Sequence, residues 1–208
     1  KKLSVLYFSP TGGTEKIARY VAGELGKKLG LEPEYIPFTK PAEREGERRF
    51  GPGELLVMAS PVYAGRLPNK LMPEYQAKIF GDGAIALPIC VFGNRSPDEA
   101  LRELALLLEG NGFQLAGGAA FAGRHAFSNR VGEGRPDGDD LAQIADFAAK
   151  IAEKLAGEEL PLLELDRGEI GPYYTPLKAD GTPAKFLKAK PLTHWEKCCY
   201  CGACARAC

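Results

Sequence analysis

Over roughly the first 157 residues, apolar positions fall into two alternating patterns. Short, nearly continuous runs at Leu3–Phe8, Leu55–Ala59, Ala84–Phe92 and Leu115–Phe121 predict strands covered on both faces, as in parallel sheets. Between them come stripes at helical spacing. Ile17, Val21, Leu25 and Leu29 recur with Ala18 and Ala22 beside them and predict a helix over 14–29. Leu101, Leu104, Ala105 and Leu108 predict one over 98–109, with Ser96-Pro97-Asp98 as its capping region. Leu141, Ile144, Ala148, Ile151 and Leu155 predict a last one over 139–156, closed by Gly157. Tyr35–Phe38 reads as a short strand at a sheet edge, because Pro37 cannot donate to a ladder. Pro88 conflicts with its apolar run and predicts either a bulge or a shorter strand, Ile89–Phe92.

Strand followed by helix, repeated, implies an α/β fold with one open, five-stranded parallel sheet in the order 2-1-3-4-5. Beyond Glu158 the helical period is lost and Pro and Gly are scattered. The expected organisation is an α/β domain over 1–157, an extended connector over 158–194 with Tyr173, Tyr174, Phe186 and Trp195 as packing anchors, and a third region over 195–208.

Composition narrows the function. Among 208 residues, 27 Lys and Arg balance 27 Asp and Glu. With no positive excess, the phosphate attraction that drives nucleic-acid binding is missing. No apolar run approaches the ~20 residues that a bilayer crossing needs. The expectation is no nucleic acid, no membrane and a cytoplasmic protein, with Lys1–Leu6 read as a first strand rather than a signal segment. The chain begins with Lys1 and stops inside a cysteine run, so it is read as an excised or processed piece.

Five of six cysteines lie in the last eleven residues. Clustering of this kind points to metal ligation rather than a disulfide framework. Cys198-x2-Cys201-x2-Cys204-x3-Cys208 has the spacing of the bacterial ferredoxin run, in which three thiolates wrap a [4Fe–4S] cluster and the fourth serves a second cluster. Zinc is the competing metal, although its ribbons separate two Cys pairs by a long stretch. Cys199 offers another ligand register or an exposed thiol. Cys90, in an apolar run, reads as a buried core thiol.

The first strand is followed directly by Ser9-Pro10-Thr11-Gly12-Gly13-Thr14 and then the helix. A helix N-terminus offers unpaired N–H groups and a positive dipole end, and glycines let the backbone approach an anion. Ser9, Thr11 and Thr14 add hydroxyls. Lacking Lys or Arg, the loop suits a monophosphate, and neither a Walker loop nor a dinucleotide fingerprint is present. The same residues also suit a tight turn with Thr11 or Thr14 as a plain helix cap.

This loop resembles the phosphate loop of flavodoxins, which hold FMN in a sheet of the predicted order. The resemblance implies two further loops around the flavin ring, here Ser60-Pro61-Val62-Tyr63-Ala64-Gly65-Arg66-Leu67-Pro68 and Phe92-Gly93-Asn94-Arg95. Both fall outside the carboxyl ends of strands, where open α/β sheets bind ligands. It further implies that Tyr63 stacks on the ring, that the Gly65 backbone flips toward reduced flavin, and that Asn94 and Arg95 meet its pyrimidine edge. His125, in Gly123-Arg124-His125-Ala126-Phe127, reads either as a proton relay or donor at the same crevice or as a loop histidine satisfied by a backbone carbonyl. Asn129–Asp140 is expected to be a mobile loop.

Taken whole, the chain resembles a flavodoxin fused to a bacterial-type 2[4Fe–4S] ferredoxin and cut off within the ferredoxin part. That implies FMN-dependent electron transfer between the flavin and an iron–sulfur cluster or an external redox partner, the tether raising the effective concentration of one carrier near the other. The alternative is an NAD(P)H- or ferredoxin-dependent reductase of quinones or similar small acceptors, with His125 or Arg66 placed for the substrate. A receiver domain of the same topology needs carboxylates at the end of strand one, where Ser9 and Pro10 stand.

Overall fold

The computed structural model describes residues 1–157, 159–161, 163–184 and 192–207. The chain forms two compact units, Lys1–Tyr174 and Thr175–Cys208. In the first, the elements are β1 (Lys2–Tyr7), α1 (Gly13–Leu29), β2 (Pro33–Pro37), β3 (Arg48–Phe50), β4 (Glu54–Pro61), α2 (Met72–Lys78), β5 (Ile79–Gly81), β6 (Ile85–Phe92), α3 (Ala100–Gly110), β7 (Gln114–Leu115), β8 (Ala119–Ala122) and α4 (Gly138–Ala156). The main sheet is parallel and runs β2-β1-β4-β6, with β7 and β8 following each other along the outer side of β6. With β7 and β8 counted as one interrupted strand, this is the predicted five-strand order.

The apolar runs are strands because each side chain has a layer to enter. Leu3, Val5 and Tyr7 of β1, Leu55, Val57 and Ala59 of β4, and Leu87, Ile89 and Val91 of β6 face one core. There they meet Ile17, Val21 and Leu25 of α1 and Ile144, Ala148 and Ile151 of α4. The alternate residues Leu6, Leu56, Met58, Ala86 and Cys90 face a second core with Leu104, Leu107 and Leu108 of α3. Period-two alternation is thus present inside each run and is hidden because both faces are dry. Cys90 is fully buried as expected, and burial pushes its thiol up from the ordinary range.

Three expectations are corrected. Pro88 makes neither a bulge nor an early strand start, since β6 continues through it in register with Met58. Ala84, Ala86 and Phe92 all offer carbonyls to the outer side of β6. Pro88 has the same parity, so its missing N–H falls where β7 has ended and β8 has not begun. For the same reason the fifth strand is two pieces instead of one Leu115–Phe121 run. Gly118 passes so close that an added Cβ would lie 2.9 Å from the Pro88 ring and 3.1 Å from its carbonyl. Gly118→Ala is therefore expected to cost about 1–3 kcal/mol by overpacking, read as a lower urea midpoint at constant slope. Finally, Ser96 does not cap α3. Its hydroxyl accepts the Asp98 amide at 3.1 Å, and the helix begins after Glu99 without a side-chain cap.

Elements too short for any period were not legible: α2, and the two-stranded parallel pair of β3 with β5. α4 is capped by Asp137, which accepts the Asp139 and Asp140 amides while the Asp140 carboxylate takes the Asp137 N–H. No helix among the described residues is long and apolar enough to cross a membrane.

The second unit carries a small turn in which Leu177 bridges Pro183, a 3-10 turn over Trp195–Lys197, and the short helix α5 (Ala203–Ala207). Trp195 is exposed and stacks on Tyr200 at 6.1 Å between centroids. Phe186, expected as an anchor, lies outside the described residues.

Candidate functional site

The loops after β1, β4, β6 and β8 all leave the carboxyl edge of the sheet, on either side of the β1–β4 junction where strand order reverses. In the first, neither Thr11 nor Thr14 caps the helix. The N-cap is Gly12, in the left-handed conformation at φ 82°, with no side-chain cap bond. Ser9 braces the loop instead: its hydroxyl accepts the Glu15 amide at 2.9 Å, and its own amide donates to the Thr39 hydroxyl at 2.9 Å. Gly12 N–H donates to the Ser9 carbonyl, and Lys16 N–H to Gly12. The amides of Thr11, Gly13 and Thr14 are left with no acceptor among the described residues. Space above both glycines is open, with nothing within 4 Å of an added Cβ. A short, cation-free cradle of free amides results, held from behind by Ser9 and Thr39.

The loop after β4 divides its residues between inside and outside. Ser60 is buried, and its hydroxyl lies 3.3 Å from that of Tyr75 in the core. Pro61 completes the pairing with Val91, and Val62 donates to the Val91 carbonyl at 2.9 Å. Tyr63, Ala64, Gly65 and Arg66 then form a two-residue hairpin turn. Tyr63 and Arg66 exchange both backbone bonds, and Ala64 and Gly65 both take positive φ, at 50° and 80°. The Tyr63 ring stands half-exposed at the edge, with its phenol pushed up from the ordinary range by desolvation.

Arg66 is engaged within the protein. Its guanidinium turns inward to Glu103 on α3, with Nε 2.9 Å from Oε2, while the same carboxylate accepts the Leu67 amide at 2.8 Å. The carbonyls of the turn are also engaged. Gly65 accepts the Glu99 amide at 2.9 Å and Ala64 accepts the Tyr174 amide at 2.7 Å. A Cβ on Gly65 would run into the Asp98 carboxylate. The flip implied for Gly65 would therefore break a bond already made.

In the third loop, Phe92 ends β6 and Gly93 passes under His125, where a Cβ would lie 2.7 Å from that ring. Asn94 takes a left-handed φ of 67° and is exposed, as is Arg95. Arg95 is committed rather than free: it pairs with Asp98 and lies over the Tyr174 ring at 4.0 Å. Arg95 and the Ser96 hydroxyl hold the Asp98 carboxyl below the usual carboxylate range. In the fourth loop, His125 Nδ1 accepts the Phe127 amide at 3.1 Å, so the partner is a backbone N–H instead of a carbonyl, and a neutral ring carries its proton on Nε2. The following stretch folds back through the His125 amide to the Val131 carbonyl and Arg135 to Asp140.

Thr39, Asp98, Glu99, Glu103 and Tyr174 were not singled out from the sequence for these contacts. Only Glu103 left a signal. It follows Ala100 at i+3 and precedes Leu107 by four, which places a charge on the buried face of α3.

A cleft of about 560 Å³ lies elsewhere, between β2 and the 43–50 segment. Its charges pair among themselves and their neighbours, Lys2 with Glu34 and Glu54, and Arg49 with Glu47 and Asp82. It reads as a solvated groove.

In the second unit Cys198 is half-buried, and Cys199, Cys201 and Cys204 are exposed. Cys208, the fourth ligand expected from the spacing, lies outside the described residues. Among the described residues no three His, Cys, Asp or Glu side chains gather as a metal set.

No family model and no curated protein matches the chain. Solved structures do. A flavodoxin from the domain Archaea is 18% identical, with 76% of this chain and 100% of that one covered at a TM-score of 0.50. The flavodoxin of Streptococcus pneumonia TIGR4 is 20% identical, with 74% and 99% covered at 0.50. The apo form of an NADH:FMN oxidoreductase is 16% identical, with 76% and 91% covered at 0.52. At these identities the likeness is one of architecture, and on it the chain carries a flavodoxin-like α/β fold.

Proposed function

We propose that the chain binds FMN at the carboxyl edge of its sheet and serves in electron transfer to or from a redox partner protein or a small-molecule acceptor. The observation that carries this reading is the cradle after β1: the amides of Thr11, Gly13 and Thr14 without acceptors among the described residues, open space above Gly12 and Gly13, and no cation in the loop. These residues fit a phosphate monoester, whose oxygens accept several N–H bonds at a helix start. Ser9, Thr11, Gly12, Gly13 and Thr14 would hold that phosphate. Ser60, Pro61 and Val62 would form the floor beside it, with Tyr63, Ala64 and Gly65 along the flavin plane. Phe92, Gly93, Asn94 and Arg95 would border its polar edge, with His125 offering Nε2–H from above Gly93. The chemistry supplied by the bound group is uptake and release of one or two electrons. The protein's part is to fix the ring, shield it and set the charge around it.

The named neighbours, two flavodoxins and an NADH:FMN oxidoreductase, agree with this reading at the level of fold. The tail spacing of Cys198, Cys201, Cys204 and Cys208 supports an iron–sulfur centre as the second carrier. The described thiols do not converge on one point.

Titration with FMN and with riboflavin, followed by flavin fluorescence, tests the proposal. FMN is expected to bind at least about tenfold tighter than riboflavin, since only FMN meets the free amides. Equal affinities, or no binding, overturn it. Sustained turnover of NAD(P)H with a quinone would move the reading to a reductase. Iron with sulfide in material carrying the whole cysteine run supports the second carrier, and zinc alone removes it.

A further inference from the structure

The first unit does not end with α4. Its last stretch, Asp166–Tyr174, runs back over α3 to the loops of the carboxyl edge and is fastened at several points along the way. Arg102 of α3 donates to the carbonyls of Asp166, Gly168 and Glu169 at 3.0–3.3 Å, and Arg167 pairs with Glu109. Arg66 donates to the Gly171 carbonyl at 2.5 Å and lies 4.9 Å from the centroid of the Tyr173 ring. The Tyr173 hydroxyl donates to the Leu67 carbonyl at 2.8 Å. The Tyr174 amide donates to the Ala64 carbonyl at 2.7 Å, and its ring carries Arg95. Tyr174 thus touches both loops that border the proposed ring site, one through its backbone and the other through its side chain. Among the described residues it makes no hydrogen bond to the phosphate cradle.

We infer that Asp166–Tyr174 is a clasp that holds the Tyr63–Arg66 turn and the Asn94–Asp98 loop in the geometry that receives the flavin ring, with Tyr173, Tyr174 and Arg66 as positioning residues. This inference rests on the flavin reading above. Its physical content is a linkage: a clasp that preorganises two loops removes the ordering that the ligand would otherwise have to impose. Binding and docking must then favour each other by the same factor. The Tyr174 amide, bonded to Ala64, reports clasp opening directly.

The test uses the full chain and three readouts. Tyr174→Pro removes the amide donor and the aromatic ring, and Tyr174→Ala removes the ring alone. Tyr174 ends the unit at a half-exposed position, so the sheet stays intact in both. In Tyr174→Pro the dissociation constants of FMN and of riboflavin are expected to rise together by about tenfold, as for loss of one well-placed hydrogen bond. Exchange of the Arg66 and Glu99 amides should quicken even without flavin. In the unmodified chain, saturating FMN should slow exchange of the Tyr174 amide by a comparable factor. Unchanged affinities in Tyr174→Pro overturn the clasp, as does a loss confined to FMN, which would place the effect at the phosphate. A Tyr174 amide indifferent to FMN also overturns it. If the unmodified chain binds neither flavin, the flavin reading falls and this inference with it. Only the three preceding outcomes sink the clasp alone.

Discussion

Replacing Glu103 by Ala is expected to lower the unfolding free energy by about 3–5 kcal/mol, a large share of the ~5–15 kcal/mol that holds a domain of this size together. The side chain of Glu103 is 6% exposed and that of its partner Arg66 is 17% exposed. The carboxylate accepts both the guanidinium and the Leu67 amide. Removing it leaves a largely buried guanidinium with the Gly171 carbonyl but no counter-ion, and the buried Leu67 N–H without its acceptor. The cost comes from those orphaned groups and exceeds the net worth of the pair itself. Glu103→Gln keeps the volume and an acceptor for Leu67 and should fall between Ala and the native residue. Glu24→Ala is the internal control. Lys27 is 72% exposed in that pair, so a loss below about 1 kcal/mol is expected. Urea unfolding at constant slope checks all three, and equal midpoints for Glu103→Ala and Glu24→Ala would show that burial of the first pair carries no weight.

The same residues show how far the sequence could be read. β1, β4, β6, α1 and α4 were legible because each carries a pattern longer than its own noise: apolar runs of five to nine residues, or stripes repeated over four turns. The order of loops after successive strands was legible for the same reason, since it follows from topology alone. The break between β7 and β8 was not, because it comes from a match between Pro88 on one strand and Gly117-Gly118 on the next. Each looks like a local defect when read alone, and only together do they form a seam. The inward pairing of Arg66 was hidden for a related reason. A charge among Gly and Pro reads as solvated or ligand-facing, whereas the partner of Arg66 lies 37 residues away at Glu103; Arg95 is exposed and pairs locally with Asp98, and only its contact with the Tyr174 ring is distant. Long-range pairing of this kind leaves no local trace. The clasp itself was readable only as two tyrosines in a stretch without helical period.

The second large effect is expected at the cradle, where stability and binding should move in opposite directions. Gly13 is the first residue of α1, and an added Cβ there meets nothing within 4 Å. Gly13→Asp therefore fits without a clash. A carboxylate in the first helical turn interacts favourably with the dipole, so stability should hold or rise by about 0.3–1 kcal/mol. The same carboxylate would stand beside the Thr11, Gly13 and Thr14 amides that are proposed to receive the phosphate. At an effective dielectric near 20, two unit charges about 4 Å apart interact by about 4 kcal/mol, and the phosphate carries more than one. Even after screening by solvent and salt, FMN affinity should fall by about a hundredfold or more, recovering in part at high ionic strength. Riboflavin, which lacks the phosphate, should bind as it does to the unmodified chain. This contrast separates charge repulsion at the cradle from damage to the fold, which would weaken both ligands. It also separates the cradle from the clasp, whose variants should weaken both ligands equally while leaving the salt response unchanged. If Gly13→Asp retains full FMN affinity, the free amides after β1 do not hold a phosphate, and the flavin must be sought at another edge of the sheet.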